Sequence, residues 1–450
     1  MIGKAIRKYH ELIAEGDTAQ ETHDLLFAEL KERELFFGDV PVCRVLRPQF
    51  FEHDDWVYLK TQTEIVLQAF RKTHFACLEN ADLRSQLDLD PYEEELFALD
   101  KGLSAPWSSS RLDAFYKPED RYLRFVEYNA ETPAGIGYGD ELATAFLNIP
   151  VMKEFQKLYN VAHHHGQTQL LDVIVRAYRE WGGTQPMPNI AIVDWQDVPT
   201  LREHKISCAY FEEHGFRCIL ADPQHLEFRD GFLWHEDLRI DLIYKRVLYS
   251  ELVERMGMEC DLVKALKARA VFMTNSPSAK LISKKASLAL LSDEQNRHLF
   301  TREELAAIAQ HIPWTRRVSD RKTFYNGAEI DLLEFLRNHR ENFVLKPNDD
   351  YGGHGVVIGW QATENDWENT IQAALTVPHV VQERVTLVER DFPMMLDGTL
   401  DISPRFVDAN PYVFYGTTVG GCLTRLSSAA LLNVTAGAGS VVPMFVIENR

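Results

Sequence analysis

Through the first hundred residues apolar positions recur at helical spacing, in YHELIAEG, ETHDLLFAELKERELFFG and TEIVLQAFRKTHFACLENADL. Each run predicts an amphipathic helix. After PWSSSRLDAFY the period shortens to that of strands, the last of which enters RFVEYNAETPAGIGYG, residues 124–139. A further helical region is expected from about Asp140 to Trp181, closed by the linker GGTQPMPN. From Asn189 the order becomes strand, helix, strand: IAIVDW, PTLREHKISCAYFEEHG and FRCILAD. LEFRDGFLWHE reads as a hairpin turning at Asp230–Gly231, and IDLIYKRV as the next strand. This predicts a small doubly wound unit ending near Thr274. Such sheets bind ligands at the carboxyl ends of their strands, so Asp194 and Asp222–Pro223 are substrate-side candidates. The last third opens with a loop and helix, NSPSAKLISKKASLALLSDE. The helices REELAAIAQHI, IDLLEFLRN and WENTIQAAL then alternate with the strands FVLKPND, VVIGW and HVVQERV.

The chain of 450 residues is long enough for two or three domains. The pattern divides it at 1–103, 104–185, 186–275 and 276–450. Lys and Arg total 48 against 67 Asp and Glu, a net charge of −19. So acidic a surface disfavours nucleic acid as a partner, yet leaves room for one basic pocket set by local residues. No apolar run is long enough to span a bilayer, and MIGKAIRKYHELIAEGD lacks the apolar core of a signal peptide. Six scattered cysteines without a CxxC pair argue against a zinc site or a disulfide framework and fit a reducing cytoplasm. His163–His165, in a polar context, reads as a solvated cluster.

Three segments carry candidate chemistry. In FVEYN, residues two apart share a strand face, which puts the Glu127 carboxylate and the Asn129 amide together. Two oxygen ligands at a strand end suit a hard cation such as Mg²⁺, and a solvated sheet face is the plain alternative. Val126 and Tyr128 should face the packed side. In FVLKPNDDYGGHGVVIGW, Lys346 closes an apolar strand before a loop containing Gly352, Gly353 and Gly355. Glycines let backbone N–H groups approach an anion, and a lysine beside them suits phosphate. The strand–loop–strand order excludes a Walker loop, which must open a helix. A flexible hairpin tip would look the same. In HVVQERV, a buried strand ends at Gln382–Glu383, where backbone groups can meet an adenine edge or simply solvent.

Taken together, SRLDAFY, FVEYNAE, FVLKPNDDYGGHG and the tail GGCLTRLSSAALLNVTAGAGSVVPMFVIE resemble the circularly permuted ATP-grasp proteins of the glutathionylspermidine synthase-like family. The resemblance covers most of the chain after about Ser104. It implies an α/β (α+β) ATP-grasp fold, circularly permuted. The region 104–185 would hold the metal part of the core, 186–275 a small doubly wound pre-ATP-grasp-like domain, and 276–450 the lid and nucleotide-binding core, behind a helical amino-terminal region. It also implies that Asp113, Glu127 and Asn129 hold Mg²⁺, two ions in all, and that Arg111 and Arg425 steady the transferring phosphoryl group. Lys346 and Lys285 (or its neighbour Lys284) would meet the ATP phosphates, Gly352, Gly353 and Gly355 would cover them, and Gln382, Glu383 and Val385 would hold adenine. The implied activity is ATP-dependent, ADP-forming ligation of a small-molecule carboxylate to an amine, with a peptide or polyamine as a possible partner. Nothing resembles the family's amidase domain or its glutathione and polyamine contacts.

Two other readings stay in competition. One is an ATP-binding scaffold that has lost turnover. The other, a dinucleotide-dependent oxidoreductase, rests only on GIGYGD after a strand.

Overall fold

A computed structural model describes residues 2–37, 40–100, 103–104, 106–350, 353–429 and 439–450. Its largest sheet is antiparallel and runs, edge to edge, Val388–Leu396, Thr399–Val407, Thr418–Ser427, Asn410–Phe414, Ser109–Lys117 and Tyr122–Asn129. Gly439–Val442 adds a seventh strand beside Thr418–Ser427. One face of this sheet carries Leu112, Leu123, Phe125 and Tyr128 into an apolar cluster with the helix His53–Glu79. The helix spacing read from the sequence delivers Leu59, Val66, Leu67 and Phe70 to that face, and the Phe70 and Tyr128 rings meet at 4.6 Å. The other face packs in part into a second cluster through Phe115, Tyr412, Phe414 and Leu423, and the rest of it carries the site.

A second antiparallel sheet, Thr315–Arg317, His379–Glu383, Phe343–Pro347 and Val357–Ile358, is backed by its own cluster around Leu332, Leu336, Phe343, Trp367 and Ile371. The third sheet is parallel, ordered Phe272–Thr274, Leu242–Lys245, Ile190–Val193, Cys218–Ala221. All four residues of IAIV are buried, as a strand covered on both faces requires. The hairpin Leu226–Arg229/Phe232–His235 turns through Asp230 (φ 52°) and Gly231 (φ 79°), both left-handed as a tight hairpin demands.

Three sequence expectations need correction. The first hundred residues include short strands, of which Gln49–Glu52 pairs in parallel with Met444–Asn449. The helical stretch after Asp140 is interrupted by the strand Tyr159–Ala162, which pairs with the other side of Met444–Asn449. These strands are too short to show a period, and their partners lie hundreds of residues away. The histidine run is not a solvated cluster either. His164 packs on Trp56 at 4.7 Å and His163 on Phe445 at 6.0 Å, while His165 stays exposed.

The strand Met444–Asn449 thus ties distant segments into one core through Phe445 and Ile447, both fully buried. Phe445→Ala should cost about 3–5 kcal/mol, read as a lower urea midpoint with an unchanged slope.

Candidate functional site

The site starts from an irregularity in a β-ladder. Between Ser109–Lys117 and Tyr122–Asn129, Asp113 pairs with Glu127 but Ala114 pairs with Phe125, which leaves Val126 as an extra residue. This bulge reverses the alternation. Tyr128 is buried as expected, whereas Val126 lines the cavity instead of the packed face. The Ala114 N–H in the bulge donates to Asn410 Oδ1 at 2.9 Å. Arg111, Asp113, Glu127 and Asn129 then share one face, since Arg111 stands opposite Asn129.

On that face Arg111 donates to Asp113 through Nε (2.7 Å) and a terminal nitrogen (3.2 Å). Arg425, in Thr418–Ser427, donates to the same carboxylate at 2.7 Å and through Nε to Asp408 at 2.7 Å. Burial pushes the Asp113 carboxyl up, but Arg111 and Arg425 outweigh it and hold it at about 2. Burial works against the Arg425 charge too, and Asp113 and Asp408 more than offset it, so its pKa rises. Asp408 itself is pushed up by burial and by Asp113, against the pull of Arg425.

The facing wall comes from the second sheet and the turn beside it. Lys346 Nζ donates to Val126 O at 3.2 Å and to Gln382 Oε1 at 2.7 Å, so the lysine before the glycine loop touches the metal-candidate strand. Burial of its ammonium, with Lys285 nearby, lowers Lys346 to about 8, while Glu127 and Asp113 oppose the shift. Lys285 Nζ lies 3.1 Å from Glu127 and donates to Asp350 O. Lys284 turns the other way, 2.8 Å from Glu93 and 3.3 Å from Asp349. Lys285 lines the cavity and Lys284 does not.

One cavity is therefore lined by Arg111, Asp113, Glu127, Asn129, Lys285, Lys346, Gly353, Gln382, Glu383, Val385 and Arg425. Gly355 is not among the lining residues. It takes φ 66° in the loop, where a Cβ would meet Pro347 Cγ at 2.7 Å. Gly352, and residues 430–438 of the tail, lie outside the described residues. Asp194 and Asp222 do not line the cavity; Asp222 caps a short turn through Gln224 N. The Gln382 side chain accepts from Lys346 at 2.7 Å and donates to Thr315 Oγ1 at 3.2 Å, which leaves one N–H and one lone pair of the amide uncommitted.

The sequence reading missed Asp408 and Asn410, although FVDAN places them two apart near a strand start. It also missed an apolar end of the cavity, where Val344, Val356, Ile358, Trp360 and Leu387 surround Val385. There the Arg384 guanidinium sits 4.2 Å from the Trp360 ring. GIGYGD does open a helix, Ile136–Asn148, but the Glu203 carboxylate already accepts from Gly135 N (2.7 Å) and Gly137 N (3.2 Å). The place where a dinucleotide phosphate would bind is filled by the chain itself.

No family model matches the chain. The uncharacterized protein Rv2411c of Mycobacterium tuberculosis is 21% identical over 338 residues, 71% of this chain and 56% of that one. A putative glutamate–cysteine ligase 2-2 of Frankia casuarinae is 24% identical over 264 residues, 54% of this chain and 29% of its own length. The chain thus spans about half or less of these curated relatives. Among solved structures, the apo form of a glutathione synthetase-like effector (GSS30) from Globodera pallida superposes with TM-score 0.60 at 12% identity, over 96% of this chain and 98% of that one. The chain is mixed α/β and shares its fold with that effector. Among the described residues, no helix is long and apolar enough to cross a membrane.

The Asp113 bracket can be tested without any ligand. Its folded pKa lies below the unfolded value, so its stabilisation is complete above about pH 4 and is lost as pH falls through 2. Asp113→Asn should lower stability at pH 7 by about 2 kcal/mol, and urea melts of the two proteins should converge toward pH 2. A constant gap across that range would refute the bracket.

Proposed function

We propose that the chain is an ATP-dependent, ADP-forming carboxylate–amine ligase with a circularly permuted ATP-grasp architecture, similar to the glutathionylspermidine synthases. One observation carries the reading: Lys285, Lys346, Arg111 and Arg425 converge with Asp113, Glu127 and Asn129 in one cavity that has an apolar end. Four cationic side chains and the carboxylates of Asp113, Glu127, Asp350, Glu383 and Asp408 line it. A bare polyanion would meet those carboxylates, whereas a metal–nucleotide complex offers both signs of charge. The apolar end suits a purine. Past the last strand pair, at Glu383, the Val385 N–H makes no backbone hydrogen bond among the described residues. A Glu383 carbonyl followed by the Val385 N–H offers acceptor and donor in the order that matches adenine.

The donor set fits Mg²⁺. Asp113 Oδ1 accepts one N–H and keeps a lone pair. The buried Asn129 Nδ2 makes no hydrogen bond, so the amide is not committed through its nitrogen and its oxygen would complete the ligand set. Held there, Mg²⁺ would neutralise charge on the phosphate oxygens.

The chain's own groups do the rest. Lys346 and Lys285 hold the phosphate chain, and Arg111 and Arg425 cancel charge where the acid's carboxylate oxygen approaches the γ-phosphorus. The bond to ADP breaks as the acyl phosphate forms. The amine nitrogen then attacks the acyl carbon, phosphate leaves, the nitrogen loses a proton, and an amide remains. The loop around Gly353 and Gly355 would keep water from the acyl phosphate. The acidic surface would favour a cationic amine over an anionic one.

Phosphate release from MgATP should require both an acid and an amine from a substrate panel, and Asp113→Ala should abolish it. Tight ATP binding by calorimetry with no turnover on any panel would favour the silent scaffold instead. Because Lys346 titrates near 8, nucleotide affinity should fall as pH rises through that value. Lys346→Met should weaken binding at least tenfold, about 1.4 kcal/mol, and flatten the pH profile.

A further inference from the structure

Behind the cavity, on the side of the glycine loop's stem, Asp90, Glu93 and Asp349 bring one carboxylate oxygen each within 4.8 Å of one another. Such a cluster would ordinarily call for a metal ion, but Lys284 supplies the charge. Its ammonium, only 2% exposed, lies 2.8 Å from Glu93, 3.3 Å from Asp349 and 3.8 Å from Asp90. Lys280 stands beside it, 2.8 Å from Asp349 and 2.8 Å from Glu131, and Lys245 reaches Glu131 at 3.5 Å. The Glu131 carboxylate also accepts from Tyr249 N at 2.7 Å.

This network joins segments that flank the proposed ATP site. Glu131 lies two residues past the end of the metal-candidate strand, Tyr122–Asn129. Lys284 precedes the cavity-lining Lys285. Asp349 follows Lys346 by three residues at the start of the glycine loop. The same stem is fastened at Asn348, whose side chain accepts from Ala286 N at 2.8 Å and donates to Leu87 O at 2.8 Å. Lys285 N donates to Asn348 O at 3.0 Å.

We propose that Asp349 is a positioning residue: anchored by the built-in cations Lys280 and Lys284, it fixes the stem of the glycine loop so that Lys346 and Lys285 bracket the phosphate chain. Asp349 does not line the cavity, and its side chain is 31% exposed, unlike Glu93 and Glu131, so substitution there should cost some stability without unfolding the chain. The inference rests on the ATP reading above.

The test is calorimetric binding of Mg²⁺ with a non-hydrolysable ATP analogue, alongside the melting temperature of the free protein. Asp349→Asn keeps shape and removes charge; Asp349→Glu keeps charge and changes shape. Charge anchoring predicts at least a tenfold loss of affinity for Asn and no more than about threefold for Glu, with the Asn protein melting below wild type yet folded at the assay temperature. The opposite order, or wild-type affinity for Asn, would overturn the positioning role. Wild-type protein that fails to bind the analogue would instead overturn the ATP site itself.

Discussion

Asp113 is enclosed by two guanidinium groups, one from its own strand and one from 312 positions further along the chain. Removing three charged groups from water costs several kcal/mol per ion unless geometry and hydrogen bonding return it. That return is available in one arrangement only, with Asn410–Phe414 set between the Arg425 and Asp113 strands and Asp408 closing the far side. The cluster therefore ties strand order to site chemistry. A wholly apolar filling could be as stable, so the retained charges are better explained by what they face than by what they add to stability.

What they face is a wall of different construction. The large sheet offers carboxylates and arginines on a rigid surface, and the smaller sheet brings lysines on a turn and a strand end. The contact between them, Lys346 with Val126 O, ties an ammonium to a neutral carbonyl. Trading that carbonyl for an anionic oxygen replaces an ion–dipole hydrogen bond by an ion pair. Under the proposed function the lysine would start near its working position, held by a bond it can exchange.

The parts of this arrangement legible in the sequence are those encoded locally. Alternation in RFVEYN and SRLDAFY places four polar groups on one face, the buried run IAIV marks a covered strand, and Asp230–Gly231 marks the turn of the separate hairpin Leu226–Arg229/Phe232–His235. Non-local decisions were hidden. The bulge at Val126 depends on how two strands pair and on an amide from Asn410, so no pattern within FVEYN could reveal it. Lys284 and Lys285 looked interchangeable because neighbours in a turn diverge only once the backbone is set. Lys284 is extended (φ −61°, ψ 137°) between two short helices, and Lys285 already caps the second (φ −62°, ψ −25°). Trp360 and Leu387 gave no signal because apolar character does not say which cavity it lines.

GIGYGD shows the same limit from the other side. The glycines do open a helix, and its first N–H groups are as ready for an anion as any phosphate-binding turn. The chain meets that need with Glu203, 5% exposed and carried by the helix Leu201–Glu213 of the small α/β unit. A phosphate entering there would have to displace a buried carboxylate of like charge and leave it unpaired. In the main cavity a ligand would displace a backbone carbonyl, which loses no charge pairing. The first glycine-rich turn thus fastens a neighbouring unit close to the end of the metal-candidate strand and has no room for a further anion.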